Sequence, residues 1–194
     1  MYKRVIGLTL LLLAVAGCDL FDTRTPEKPD SGRSTYIFPS TPDLAITNFI
    51  NSLKEKNTQN YISCFVDTAY SAKQYHYIPT PGAATRYPAY ILGWTINSEM
   101  TYLKNVFAKL SATDQLTVSL YDSTITRYAN DSVQYVGRYV VQVPVKSNAT
   151  QEVYSGRLLF TMVNDRRSAW VISTWEDFGA DTGKTWSDMK GLNY

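Results

Sequence analysis

His76 is the only histidine in this 194-residue chain. A metal site built from histidines and a His–His acid/base pair are therefore both excluded. His76 stands in Tyr75-His76-Tyr77, and a proton-transfer role there needs a neighbouring Asp or Glu that spacing does not supply. A solvated or internally satisfied loop histidine is the simpler reading. Carboxylates are scattered singly except for Glu176-Asp177, which point to opposite faces if the preceding strand runs that far. Gly179-Ala180-Asp181-Thr182-Gly183-Lys184-Thr185 carries Gly, Lys and Thr in the order of a phosphate loop. It is one residue short between the glycines, and too little chain follows for the usual helix; turns in a C-terminal tail that packs Trp186 are the better reading. Tyr70, Tyr75, Tyr77, Tyr87, Tyr90 and Trp94 form the most suggestive group. Two readings stay open for them: a cavity rim or a contact surface for carbohydrate or peptide, and aromatic packing that secures a loop without a disulfide. Tyr75, His76, Tyr77, Tyr87, Tyr90 and Trp94 are accordingly the candidate cavity or contact residues, with no catalytic residue, metal ligand or cofactor assigned.

Cys18 carries the most specific chemistry. Lys3 and Arg4 form a basic start, residues 5–16 are largely apolar, and Val15-Ala16-Gly17-Cys18 follows. The apolar run suits a secretory signal and is too short to span a bilayer comfortably. Val15-Ala16-Gly17-Cys18 resembles the bacterial lipobox, which implies that residues 1–17 are removed and that Cys18 carries a diacylglyceryl thioether and an acylated amine. Two or three acyl chains, at about 0.8 kcal/mol per buried methylene, hold a protein on a membrane where one chain does not. Asp19 resembles an inner-membrane retention signal in enterobacterial lipoproteins; the choice of inner or outer membrane, and of periplasmic or surface side, stays open. Cleavage removes Lys3 and Arg4, the whole excess of 19 Lys+Arg over 17 Asp+Glu. The mature chain is then formally neutral, which argues against nucleic acid or another polyanion held by net charge. It also leaves Cys64 as the remaining one of two cysteines, so no intramolecular disulfide is available. With no basic residue or histidine beside it, Cys64 reads as a buried structural thiol.

The elements that must position these residues follow from periodicity. Residues 18–41 form a lipidated cysteine and a polar, proline-containing tether, with Tyr36-Ile37-Phe38 able to dock on the domain edge. Its reach is at most about 70 Å at the polyproline rise. Thr41-Pro42-Asp43 starts a helix, and Ile46, Phe49, Ile50 and Leu53 give it one apolar stripe. Lys54-Glu55-Lys56-Asn57 closes it, and residues 58–65 form a second helix turned back on the first. Residues 66–93, rich in Pro and Tyr, read as a long loop with at most a short strand, a length that invites a lid or a contact surface. A third helix begins near Thr95 with Ile96, Met100, Leu103, Phe107 and Leu110 as its stripe. After Ser111 the period changes to 2. Leu116, Val118 and Leu120 mark a strand. Asn130-Asp131 turns it into a long one through Val133, Tyr135, Tyr139, Val141, Val143 and Val145, and Pro144 suggests an edge or bulge there. Ser147-Asn148 leads to a strand over 153–163 with Tyr154, Leu158, Phe160 and Met162 on one face. Asn164-Asp165-Arg166-Arg167-Ser168 turns into a last strand over 169–175, with Arg166-Arg167 read as a solvated pair. The fold class is α+β: three N-terminal helices on a curved antiparallel sheet of four or more strands, in a single domain over 42–194.

Asn48-Phe49-Ile50-Asn51-Ser52-Leu53-Lys54-Glu55-Lys56-Asn57 running into Tyr61-Ile62-Ser63-Cys64-Phe65, with Ala169-Trp170-Val171-Ile172 in the last strand, resembles the nuclear transport factor two-like superfamily over about residues 42–178. The resemblance implies a cone: a curved sheet wrapped around the long helix. The superfamily divides between enzymes, such as ketosteroid isomerase and scytalone dehydratase, and non-catalytic binding or assembly modules, so fold alone names no activity. The leading expectation is a lipid-anchored, non-catalytic module whose partner is an envelope protein or a small apolar or carbohydrate ligand. The alternative is an isomerase- or dehydratase-type enzyme using His76 or tyrosines inside the cone. A filled interior counts against the enzyme; a carboxylate within reach of His76 or a tyrosine hydroxyl counts for it.

Overall fold

The computed structural model describes residues 34–129, 131–145, 150–179 and 183–194. The expected signal segment, Cys18, the expected tether up to residue 33, Asn130, Ser147-Asn148 and residues 180–182 of the glycine-containing run lie outside the described residues. The architecture is α+β, with a five-stranded sheet in the order β1-β5-β4-β3-β2.

Helix α1 (Pro42–Lys54) starts where local chemistry requires: the Thr41 side chain accepts from the Leu44 amide at 3.3 Å and Pro42 sits in the first turn. Its buried face holds Ala45, Ile46, Phe49, Ser52 and Leu53. Asn57 does not close this helix; its side chain accepts from the Asn60 amide at 2.9 Å and caps α2 (Thr58–Ile62). Residues 34–40 lie against α1 and the start of the last strand: Asn48 Oδ1 accepts from the Ile37 amide at 3.0 Å, and Pro39 O accepts from the Trp170 amide at 2.8 Å.

The stretch expected to be a long loop with at most a short strand has that strand, β1 (His76–Ile78), and two short helices besides, α3 (Pro81–Arg86) and α4 (Pro88–Ile91), each opened by a proline at its first turn. Four- and six-residue helices carry too few turns for an apolar period to show, which is why the sequence reads there as irregular.

Helix α5 (Ile96–Ala108) is capped by Thr95 and Ser98 reciprocally. Its buried face differs from the expected one. Ser98, Glu99, Tyr102, Leu103 and Val106 are buried, whereas Ile96, Met100 and Phe107 are only partly so. The helix is turned so that an acid, not a methionine, faces the core.

Strands β2 (Thr117–Ala129), β3 (Ser132–Pro144), β4 (Gln151–Asn164) and β5 (Trp170–Gly179) form an antiparallel meander, and β1 joins the edge parallel to β5. The registers Tyr77↔Trp175, Phe160↔Trp175 and Tyr135↔Phe160 set a row of aromatic side chains across the inner face. Pro144 pairs with Gln151 but lies beyond the Thr117↔Gln142 end of the β2 pairing, so its missing N–H costs no ladder bond. Gly156 is required by close approach: a Cβ there would come within 2.6 Å of the Tyr139 hydroxyl and 2.8 Å of the Gly179 carbonyl carbon.

The β4–β5 turn corrects the expected solvated arginine pair. Arg167 donates to the buried Asp165 carboxylate from Nε at 2.9 Å and Nη2 at 2.6 Å, and its guanidinium lies 4.1 Å from the Tyr70 ring centroid. Burial alone would raise the Asp165 carboxyl, but the Arg167 hydrogen bonds and two backbone amides outweigh it and hold the group below the usual range. Cys64 is 1% exposed, and burial pushes its thiol up to about 12, as a structural cysteine requires. The expected C-terminal tail is a helix, α6 (Trp186–Leu192), capped reciprocally by Thr185 and Asp188. Gly179 (φ 71) and Gly183 (φ 95) both adopt the left-handed backbone that a turn uses, and they frame its approach.

Candidate functional site

Two linked polar networks fill the interior between α5, the sheet and α6. The first is centred on Glu99, whose side chain is fully buried. Oε1 accepts from Trp94 Nε1 at 2.8 Å, from the Tyr75 hydroxyl and from Lys190 Nζ; Oε2 accepts from the Tyr61 hydroxyl at 2.9 Å. The Tyr61 and Tyr102 hydroxyls are 3.0 Å apart, and Trp186 Nε1 donates to Tyr102 at 3.3 Å. Burial first, and then the Glu99 charge, push the Tyr61 and Tyr75 phenols well above their ordinary value. They are neutral donors. Burial draws the Lys190 ammonium below its ordinary value while Glu99 pulls it back up.

The second network is centred on Asp177. The strand does continue through Glu176-Asp177, and alternation turns Asp177 inward. Its carboxylate accepts from the Tyr139 hydroxyl at 2.8 Å, from the Ser187 amide at 2.7 Å and from the Ser187 hydroxyl at 2.6 Å. The Tyr77 hydroxyl meets Ser187 Oγ at 2.7 Å, and Tyr139 also accepts from the Trp186 amide at 2.8 Å. Burial raises the Asp177 carboxyl, with the Ser187 and Tyr139 hydrogen bonds opposing. Helix α6 thus meets both networks: Ser187 closes one and Lys190 the other. Between them Trp186 stacks edge-on against Trp175 at 4.8 Å and lies 5.7 Å from Phe49.

The sequence-derived candidates divide between inside and outside. Tyr77 and Trp94 are buried in this interior and Tyr75 reaches it with its hydroxyl. His76 is exposed, because the alternation that turns Tyr77 inward on β1 turns its neighbours outward. Tyr87 is half-buried against Gly191 of α6, and Tyr90, 38% exposed, lies 5.4 Å from the Tyr194 ring. Tyr75, Tyr77 and Trp94 are brought together; His76, Tyr87 and Tyr90 are not part of that group. Glu99, Lys190, Tyr102 and Ser187 are not singled out by the sequence, which names Asp177 only as half of the Glu176-Asp177 pair and Tyr61 only within the second helix. A signal existed for Glu99, which shares one helical face with Tyr102, Leu103 and Val106 at i+3, i+4 and i+7.

No protein-family model and no curated protein matches this chain. Solved structures do. A proposed aromatic ring hydroxylase from Novosphingobium aromaticivorans superposes with a TM-score of 0.55 at 12% identity, over 75% of this chain and 91% of that one. A proposed scytalone dehydratase from the same organism gives 0.54 at 8% identity, over 74% and 89%. A proposed dehydratase of the nuclear transport factor two-like family from Streptomyces avermitilis gives 0.52 at 10% identity, over 72% and 94%. The fold is that of the nuclear transport factor two-like proteins.

The interior of this nuclear transport factor two-like cone holds the residue types of proton-transfer chemistry, a carboxylate ringed by phenols. A general base needs an oxygen within about 2.6–3.2 Å of a substrate proton. Here both Glu99 oxygens are taken by protein donors, one of them a cation. An open concavity of about 610 Å³ lies outside this cluster; Val106, Lys109, Val143, Tyr154, Met189 and Leu192 are among the residues that line it. Neither Glu99 nor Lys190 lines it.

Proposed function

We propose that this chain is a lipid-anchored cell-envelope protein, held through Cys18, whose cone domain is a non-catalytic binding or assembly module. One observation carries the reading: α6 occupies the cone interior, with Trp186 and Lys190 fully buried, Trp186 among the aromatic core and Lys190 against Glu99. Among the described residues, the concavity beside α6 stays open to a partner or ligand. Its volume falls within the roughly 300–1,000 Å³ range of small-molecule sites, and its apolar lining residues together with Lys109 suit a small apolar ligand or a partner side chain. The resemblance of Val15-Ala16-Gly17-Cys18 to the lipobox supports the anchor.

The anchor is tested by palmitate labelling in a bacterial host. Wild-type chain is expected to take up label and to partition into detergent, and Cys18→Ala to lose both. Unchanged labelling of Cys18→Ala refutes lipidation.

A second reading, a cavity enzyme of the isomerase or dehydratase type, has a specific observation in its favour: Glu99 lies within hydrogen-bond reach of the Tyr61 and Tyr75 hydroxyls. The superposing proteins described as dehydratases are consistent with it. The two readings separate on access. Trp94, Trp175 and Trp186 surround the interior, so a planar phenol that enters it quenches tryptophan emission. Titration with 2-naphthol is expected to give no saturable quenching of the wild-type protein. Saturable quenching abolished by Glu99→Gln would establish an accessible acid/base pocket and favour the enzyme.

A further inference from the structure

Lys190 lies in a box of aromatic rings. Its Nζ is 3.5 Å from the Tyr77 ring centroid, 3.7 Å from Trp175, 5.4 Å from Trp94 and 5.5 Å from Tyr102. Ring faces attract a cation through their quadrupoles, most strongly when the cation is stripped of water, and this side chain is fully buried. The Glu99 carboxylate supplies the counter-charge and accepts one N–H. Trp94, Tyr61 and Tyr75 donate to the same carboxylate and fix its orientation.

Every wall of this box comes from the body of the domain. Tyr77 is on β1, Trp94 precedes α5, Glu99 and Tyr102 are on α5 and Trp175 is on β5. The cation alone comes from α6, after Gly183 and the turn. Receptor and occupant therefore belong to separate parts of the chain, Lys190 and Glu99 being 91 residues apart.

We propose that the cone interior is a receptor for a primary alkylammonium group, with Lys190 as its tethered occupant and α6 docked as an intramolecular ligand. This goes beyond the non-catalytic reading and does not depend on the lipid anchor. The ligand class follows from the donors and acceptors present. One carboxylate and several ring faces match a compact head with an N–H to give and an apolar stem. A guanidinium, with five donors in a planar fork, would leave most of them unanswered. A quaternary ammonium has no N–H to offer Glu99.

The test is chemical complementation in the full chain. Lys190→Ala deletes the atoms from Cγ to Nζ, which are those of n-propylammonium. Internal cavities of this kind admit small ligands when their shape and polarity match. Thermal unfolding of Lys190→Ala is followed in about 50 mM n-propylammonium chloride, with tetramethylammonium chloride and sodium chloride at equal ionic strength as controls. The expected result is that n-propylammonium restores at least half of the lost melting temperature and the controls restore none. Lys190→Met, which fills the box without a charge, is expected not to respond, nor is wild type. If Lys190→Ala does not fold alone, refolding from urea with and without the amine gives the same readout: native tryptophan emission returning only with n-propylammonium supports the site. No recovery in either format, equal recovery in tetramethylammonium, or the same response in Lys190→Met overturns it.

Discussion

Glu99→Ala is expected to lower the unfolding free energy by about 3–5 kcal/mol, the cost of leaving a buried charge without its partner. The substitution strands Lys190 and removes the acceptor for Trp94 Nε1 and for the Tyr61 and Tyr75 hydroxyls at once. Each donor left unpaired in the interior carries its own desolvation cost of about 1–3 kcal/mol, partly offset by relaxation. Removing both charges is a different matter. Glu99→Leu combined with Lys190→Met is expected to recover the part of the loss that comes from the stranded charge, because a well-packed apolar pair of similar volume often matches or exceeds a buried ion pair, while the Trp94, Tyr61 and Tyr75 donors stay without their acceptor. Urea unfolding of the single and double variants, with midpoint and slope compared, measures the coupling. A loss below about 1 kcal/mol for Glu99→Ala would mean that water reaches the cluster and that the interior is open.

Trp186→Ala is expected to cost a similar amount, about 3–5 kcal/mol, by opening a cavity at the centre of the domain. The indole lies 4.8 Å from Trp175, 5.2 Å from Tyr139 and 5.7 Å from Phe49 by ring centroids, so few neighbours are free to collapse into the space. Its loss leaves Tyr102 without the Trp186 Nε1 donor, while the backbone bond from residue 186 to Tyr139 remains. The cavity so formed is expected to bind 2-naphthol saturably, in contrast to the wild-type protein. Urea unfolding gives the first quantity and tryptophan quenching the second. A variant that is nearly as stable as wild type and binds nothing would show that Trp186 does not fill the cone.

Both substitutions disturb the seat of α6, one directly and one through Lys190, and α6 is the element the sequence shows least. Thr185-Trp186-Ser187-Asp188 has the hydroxyl and the acid three residues on that mark a helix start, so the cap itself was legible. The helix is only seven residues long, however, and its residues 186–191 are all buried, including Ser187, Asp188 and Lys190. With polar residues on the inside there is no hydrophobic stripe to read. Thr95 marks the start of the third helix, yet its inward face does not follow from the apolar stripe of Ile96, Met100, Leu103, Phe107 and Leu110, because a stripe of apolar residues gives no place to a buried acid such as Glu99. Tyr75, Tyr77 and Trp94 stand out among the aromatics of residues 66–94, but composition does not distinguish them from His76, Tyr87 and Tyr90. Only the alternation of β1 and the packing of the short helices sort them.

The sequence by itself determined the features whose causes are local. Side-chain caps at Thr41 and Thr95 act within a few residues, and the meander shows as a period of 2. The tertiary structure decided which polar groups are buried together. Glu99 meets Lys190, and Asp177 meets Ser187 and Tyr139, across separations of 91, 10 and 38 residues. Whether a charged side chain belongs inside depends on the partner that arrives from elsewhere in the chain, since burial is tolerable only once that partner is in place.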